Sequence, residues 1–383
     1  MPFASSARRT LSKCRISHKT TYLHANKWRV DRSCGFMLAG CIWRRVPVRD
    51  VGRKGREKMK FWTKLVVAAC VGGTLAGPAL AQSVTIQLAS AFNADTDMMQ
   101  AAERFGELVS ERSGGEIAVR YFPGGQMGGE RDNLEALKIG EIEMAVFGTY
   151  PIVSLAPAYS FFDAPFVFRD RDHVYATWQS ELGDEVREIF EAEHGVRALG
   201  MMGRGYRHLT SNDPINSVED MEGMRIRMGQ SKPFIEAFTE TGAVVVPIAL
   251  PELFTSLRLG TVSASDGPFD QIYTFNLHEA QSHLALTGHL YATSLWMMNE
   301  DFYAGLSDAH REIIDTAASE ALAYGDELAL ASEERLRGVL VEAGMQITEP
   351  DYAGFMEKVR PAIDRLFAED WSVTTAEEIA AIQ

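Results

Sequence analysis

The chain has 383 residues, 38 of them basic and 52 acidic, with a formal net charge of −14 and four cysteines. The charge is unevenly spread: residues 1–81 hold 17 basic and 3 acidic side chains, which leaves 21 and 49, a net of −28, for 82–383. Such an acidic chain disfavours nucleic acid, which needs a basic footprint, but not a local anion site, because surface charge is screened beyond about 10 Å at ordinary salt.

The N-terminus reads as targeting sequence. Met59-Lys60-Phe61-Trp62-Thr63-Lys64 is a short basic start, 65–75 is apolar and small, and Ala79-Leu80-Ala81 precedes Gln82 as a cleavage site. Together, 59–81 has the form of a secretory signal peptide and is too short and glycine-rich for a good membrane span. Val67-Ala68-Ala69-Cys70 loosely resembles a lipobox, but cleavage there leaves too short an apolar stretch. Residues 1–58 precede a complete signal and read as an extension from a start codon placed too far upstream. All four cysteines (Cys14, Cys34, Cys41 and Cys70) precede Gln82, so the secreted chain is expected to carry no disulfide or thiol chemistry. Its 302 residues can build two α/β domains, and a cysteine-free secreted chain suits the bacterial periplasm.

In chain order, 84–91 reads as a strand and 97–112 as a helix, with Met98, Ala101, Ala102, Phe105, Leu108 and Val109 at helical spacing. A strand at 117–122, a helix at 130–139 and a strand at 143–147 follow, which predicts a parallel sheet with right-handed crossovers. The aromatic and proline-rich 148–168 reads as an ordered loop, either lining a cleft or packed beneath the sheet. A helix is expected at 172–193 and a strand at 196–201. Gly205-Tyr206-Arg207-His208 then crosses toward a strand at 224–228, a helix at 232–241, a buried strand at 243–248 and a helix at 251–259. A helical run to 280 and a strand at 294–299 come next. From Asp308 to Ala343 no proline intervenes behind an N-cap at Ser307. At about 1.5 Å per residue that helix reaches roughly 50 Å, long enough to brace two domains, with a bend expected at Gly325 or Gly338. Another helix is expected at 352–367.

Catalytic signatures are missing: no G-x-x-x-x-G-K-[ST], G-x-S-x-G, H-E-x-x-H or C-x-x-C occurs. His278 and His283 are five apart, which does not set two ligands on one helix face, so no metal or cofactor is expected. What remains is a set of groups suited to holding an anion. Arg227 ends a predicted strand just before a helix N-terminus, where open α/β sheets keep their ligands. A guanidinium there can grip a carboxylate with two parallel hydrogen bonds, although an arginine at a strand end is commonly a solvated surface residue. Arg207 is expected on a second edge strand, and Phe92, Tyr206, Phe269 and Trp296 lie close by in sequence as candidate walls.

Several stretches, in this order and spacing, resemble the DctP family, the solute-binding subunits of tripartite ATP-independent periplasmic (TRAP) transporters. They include Tyr121-Phe122-Pro123-Gly124-Gly125-Gln126-Met127-Gly128-Gly129-Glu130, Asp163-Ala164-Pro165-Phe166-Val167-Phe168, Gly205-Tyr206-Arg207 and Arg225-Ile226-Arg227. The resemblance implies two α/β lobes closing on ligand like a flytrap, with crossing strands and a long domain-spanning helix. Lobe I would comprise 82–204 and 293–332, and lobe II 205–292 and 333–383. It also implies that Arg227 clamps a ligand carboxylate, that Arg207 is a second anion contact, and that Gly148 and Thr149 line the cleft. In the stretch Ser263-Ala264-Ser265-Asp266-Gly267-Pro268, Gly267 stands where the family places a ligand-contacting asparagine, and Asp266 where it places a glutamate. The lost amide is expected to widen the pocket, with Phe269 filling space; a gapped match would instead bring Asp270 to the site. The implied function is capture of a small organic carboxylate and its delivery to membrane permease subunits, without catalysis. An ABC-type or sensor-linked receptor and a periplasmic enzyme on the same scaffold are the alternatives.

Overall fold

A computed structural model describes residues 84–383. The expected signal peptide at 59–81 and the expected upstream extension at 1–58 lie outside the described residues. The first unit is β1 (Val84–Ser90), α1 (Asp97–Arg112), β2 (Ile117–Phe122), α2 (Glu130–Lys138) and β3 (Met144–Phe147). Here the apolar periodicity and the glycine stops mark the element bounds. β1 pairs in parallel with both β2 and β3, so the helices between them are crossover connections.

The segment after β3 is not a loop. It holds α3 (Tyr150–Leu155) and a 3-10 turn (Pro157–Asp163), and three of its six rings, Tyr159, Phe161 and Phe162, are buried. Phe161 and Phe162 stack at 5.0 Å and meet Trp371 and Trp178 edge-on, so the aromatic cluster stabilises one lobe rather than walling a cleft. The helix expected at 172–193 is two, α4 (Arg171–Trp178) and α5 (Glu181–His194). Ser180 caps the second by accepting from the Leu182 N–H.

β4 (Val196–Ser211) runs far past its expected end. Then come β5 (Arg225–Met228), α6 (Lys232–Glu240), β6 (Val244–Pro247), α7 (Leu253–Arg258), β7 (Ala264–Gly267) and α8 (Phe269–Thr274). β8 (His283–Asn299) is the antiparallel partner of β4 along nearly its whole length. Last are α9 (Glu300–Ala304), α10 (Asp308–Glu342), β9 (Gln346–Thr348), α11 (Tyr352–Glu369) and α12 (Ala376–Ala381).

The strands form one sheet in the order β2-β1-β3-β8-β4-β7-β5-β6, with β9 beside the start of β8. β2-β1-β3 carries one lobe and β7-β5-β6 the other. The long antiparallel pair β4 and β8 runs through both, so these are the crossing strands. Arg207 and Arg227 therefore do not sit on edge strands: β4 lies between β8 and β7, and β5 between β7 and β6. The edge strand of this lobe is β6, expected to be buried, where Val244 is 46% exposed. A short valine run cannot distinguish an interior strand from an edge strand.

α10 is a single unbroken helix of 35 residues, capped by Ser307, and packs along α1 and β4 with α8 at its side. Neither glycine ends or breaks it. A Cβ on Gly325 would lie 2.6 Å from Met202 Sδ and 2.9 Å from Ala101 Cβ, whereas Gly338 has nothing within 4 Å. The tail, expected wholly on the second lobe, packs on both. Phe355 joins Phe234 and Phe238, while Leu366, Trp371 and Ile379 join Phe161 and Phe190.

These two glycines carry opposite expectations. Gly325→Val should destabilise by about 1–3 kcal/mol through overpacking. Gly338→Ala should stabilise by up to about 1 kcal/mol through helix propensity. Thermal unfolding followed by circular dichroism checks both signs; an unshifted Gly325→Val midpoint would refute the close packing of α10 on β4.

Candidate functional site

Where β4 and β8 cross between the lobes, Phe92, Glu130, Gly148, Thr149, Tyr150, Asp163, Arg204, Arg207, Arg227, Ser231, Phe234 and Gln271 border a cavity of about 60 Å³. An adjoining space of about 270 Å³ shares Glu130, Tyr150 and Arg227 with it and opens between the α2 N-terminus and the turn before α7. Three buried guanidiniums converge here, each held differently. Arg207 Nε donates to Asp266 Oδ2 at 2.6 Å, and its guanidinium lies 5.2 Å from the Phe234 ring centre. Arg227 Nε donates to the Ile248 carbonyl at 2.9 Å, and its two Nη groups meet no acceptor among the described residues. Arg204 Nη2 donates to Gln271 Oε1 at 3.1 Å, its guanidinium sits 4.3 Å over Phe92, and its buried Nε is unpartnered.

Burial depresses the pKa of both Arg227 and Arg204 to about 10, with the neighbouring Arg207 adding to the shift, so both remain cationic at neutral pH. Burial opposes ionisation of Asp266 too, but Arg207 outweighs it, with His289 assisting, and holds this carboxyl well below the usual range. Among the described residues Arg207 is thus paired inside the protein, and Arg204 and Arg227 are not. A buried, unpaired guanidinium is costly and is relieved by an anion from outside. Two acids on the opposite wall face this charge. Burial raises Glu130, which accepts the Gly148 N–H at 2.7 Å, and raises Asp163 to about 6 against the pull of the Thr149 hydroxyl and Arg207.

Comparison with known proteins names this architecture. Residues 88–370 match the family described as bacterial extracellular solute-binding protein, family 7 (DctP). The chain belongs to the DctP family. A solute-binding protein of Roseobacter denitrificans, RD1_1052, is 29% identical over 326 residues, covering 81% of this chain and all of the relative. A TRAP periplasmic solute-binding protein from Bordetella bronchispeptica, its density assigned to pantoate, superposes with a TM-score of 0.74 at 30% identity. That match covers 79% of this chain and 100% of the other. One from Sulfurospirillum deleyianum with bound succinate gives 0.75 at 25%, covering 79% and 99%. TRAP solute-binding proteins take a small organic acid in an interlobe cleft, and this chain is one of them.

Within this DctP-family protein, Arg207, Arg227, Phe92, Gly148 and Thr149 border the same cavity. The other expected residues do not line it. Trp296 is fully buried and packs edge-on against Phe105 at 5.9 Å, because its position on β8 points it toward α1. Tyr206 turns to Tyr291 on the neighbouring strand, at 5.2 Å. Phe269 stacks on His208 at 4.6 Å and fills no space above Gly267. That space is taken by Gln271: a Cβ on Gly267 would lie 2.7 Å from Gln271 Nε2. Gln271 spans from Arg204 to the Asp266 carbonyl, so its amide reaches the site from α8 in place of the one missing at Gly267. Asp266 stands behind Arg207 rather than in the cavity. Asp270 is turned away toward Asp97 at the α1 N-terminus, beside Ser332.

Sequence reasoning missed Arg204, Glu130, Asp163 and Gln271. Arg204 is three residues from Arg207, and strict strand alternation puts those two on opposite faces. The register of β4 against β8 slips between Gly203 and Gly205, where Gly205 has φ +88°, and this bulge brings both arginines to the cavity. The paired glycines in Gly203-Arg204-Gly205 were the available signal.

Burial, and then the charge of Asp97, push Asp270 up to about 8. An acid raised above its unfolded value near 3.9 stabilises most at low pH and loses that contribution as pH rises through its folded pKa. The loss begins as the unfolded carboxyl ionises at about 3.9, so Asp270→Asn should already melt slightly higher than the parent at pH 5 and several degrees higher at pH 9, as read by circular dichroism. An Asn variant less stable than the parent at pH 9 would contradict a proton held at Asp270.

Proposed function

We propose that the protein captures a small organic acid by clamping its carboxylate with Arg227, next to the Arg207–Asp266 pair, as the lobes close. It then delivers the acid to membrane permease subunits. The observation that carries this reading is the buried Arg227 guanidinium, whose Nη groups face the cavity with no acceptor among the described residues. Arg207 is oriented by Asp266, so its remaining N–H groups present a fixed geometry to the same anion. Closure strengthens both contacts by excluding water. The acids assigned in related structures, pantoate and succinate, support a carboxylate ligand. The cavity and its adjoining space, about 60 and 270 Å³, suit a compact acid. Delivery to a permease rests on family membership, and export through the 59–81 segment on its signal-peptide form. The protein binds and releases; the reading assigns no catalytic residue.

Truncating one partner of a buried charge pair costs about 2–5 kcal/mol. Arg227→Ala should therefore weaken binding of the acid by roughly 30-fold to several thousandfold in isothermal titration, with the far-ultraviolet spectrum unchanged. Equal affinity in that variant would refute the clamp.

A further inference from the structure

We propose that Phe166 is a latch across the lobes: its ring, carried by one lobe, seats on the other when the lobes close and holds them together without touching the ligand. This rests on the lobe closure in the reading above and adds to it a residue outside the binding cavity. Among the described residues, Phe166 and Asn276 are the two non-glycine residues with positive φ, at +62° and +55°. Asparagine tolerates that left-handed region. For a bulky ring it is an outlier, and such strain persists only where the surroundings impose it.

The surroundings come from both lobes. On either side of Phe166 in sequence, Phe162 and Phe168 stack on each other at 5.7 Å, in the core that holds Ala145 and Phe147 of β3. Phe166 turns the other way. Its ring packs against the cluster that includes Met228 of β5 and Phe234 and Phe238 of α6, and it meets Tyr352 at the start of α11 edge-on at 5.1 Å. Its N–H donates to the His289 carbonyl on β8 at 2.8 Å. That carbonyl lies in a bulge: between the Arg207–Leu290 and Leu209–Ala285 pairs, residues 286–289 of β8 stand opposite His208 alone. Phe166 does not border the binding cavity, but both sides of its contact adjoin it, through Asp163 three residues before the ring and Leu290 next to His289. The contact therefore forms where those two walls come together. The seat is open on one side, where a space of about 200 Å³ lies between Phe166 and Met356, Ile363 and Phe367 of α11. The ring can leave without breaking a packed core, and release of the strained φ favours its leaving, so closure stays reversible.

Thermal unfolding and stopped-flow dissociation of Phe166→Ala and Phe166→Gly test this, with pantoate, succinate, D-erythronate and L-galactonate as probes. For each acid the parent binds, Phe166→Ala should release it about tenfold faster or more. The ligand-free melting midpoint should stay within about a degree of the parent, because the ring is unseated in the open form. Phe166→Gly also lacks the ring but adopts positive φ freely, so it should release the acid more slowly than Phe166→Ala. A ring that is ordinary core would instead lower the ligand-free midpoint of both variants by several degrees. That result overturns the latch whether or not any of the four acids binds. An unchanged release rate in Phe166→Ala, or release from Phe166→Gly faster than from Phe166→Ala, overturns it as well. Unchanged affinity in Arg227→Ala overturns the clamp alone, since Phe166 acts on closure and not on the ligand.

Discussion

The ion pair between Arg207 and Asp266 is the fixed point of the molecule's chemistry. Asp266 is fully buried on β7, and it holds the β4 guanidinium at 2.6 Å in a place where water cannot. Removing either partner would strand a buried charge, a loss that ordinarily exceeds what a surface pair contributes. With Arg207 neutralised internally, the remaining positive charge of the cavity belongs to Arg204 and Arg227, which come from strands on either side of β7. The site is therefore cationic at the arginines and acidic at its opposite wall, inside a chain whose residues 82–383 are strongly acidic. Local geometry overrides net charge because the cavity is buried and the surface charges are screened.

The scaffold explains how these side chains meet. β4 and β8 run through both lobes and cross between them, so a side chain at the midpoint of β4 can touch both halves. α10 spans the same crossing and closes against α1 and β4 at Gly325, which ties the ends of the flytrap to a common brace. Gln271 on α8 and Asp163 after α3 then reach the cavity from opposite lobes. Closure in such a design brings the acceptors of one lobe toward the donors of the other.

Much of this was legible in the sequence. The helix at Asp97–Arg112 and the strand at Ile117–Phe122 follow directly from apolar spacing and glycine stops, and Ser307 and the proline-free run behind it declare α10. Arg207 and Arg227 could be named from strand position and family pattern. What was hidden depends on tertiary arrangement. The crossing strands read as several short elements, because Gly200, Gly203 and Gly205 interrupt the alternation that marks a strand. Arg204 was masked by the bulge those glycines make. Trp296 and Phe269 looked like cleft aromatics because sequence shows proximity along the chain, and not the face a strand or helix presents. The exchange of roles between Gly267 and Gln271 required seeing that a missing side chain leaves room for one four residues later.

On the proposed reading, charge delivered by a buried guanidinium captures the ligand. The most direct test is isothermal titration of the protein with an organic acid that it binds and with the primary amide of the same acid, which keeps shape and hydrogen-bonding oxygen but removes the charge. The amide should bind at least about a hundredfold more weakly, a difference of about 2.7 kcal/mol. An amide that binds as tightly as its acid would contradict capture by charge, and would move the source of affinity from the arginines to the shape of the cavity.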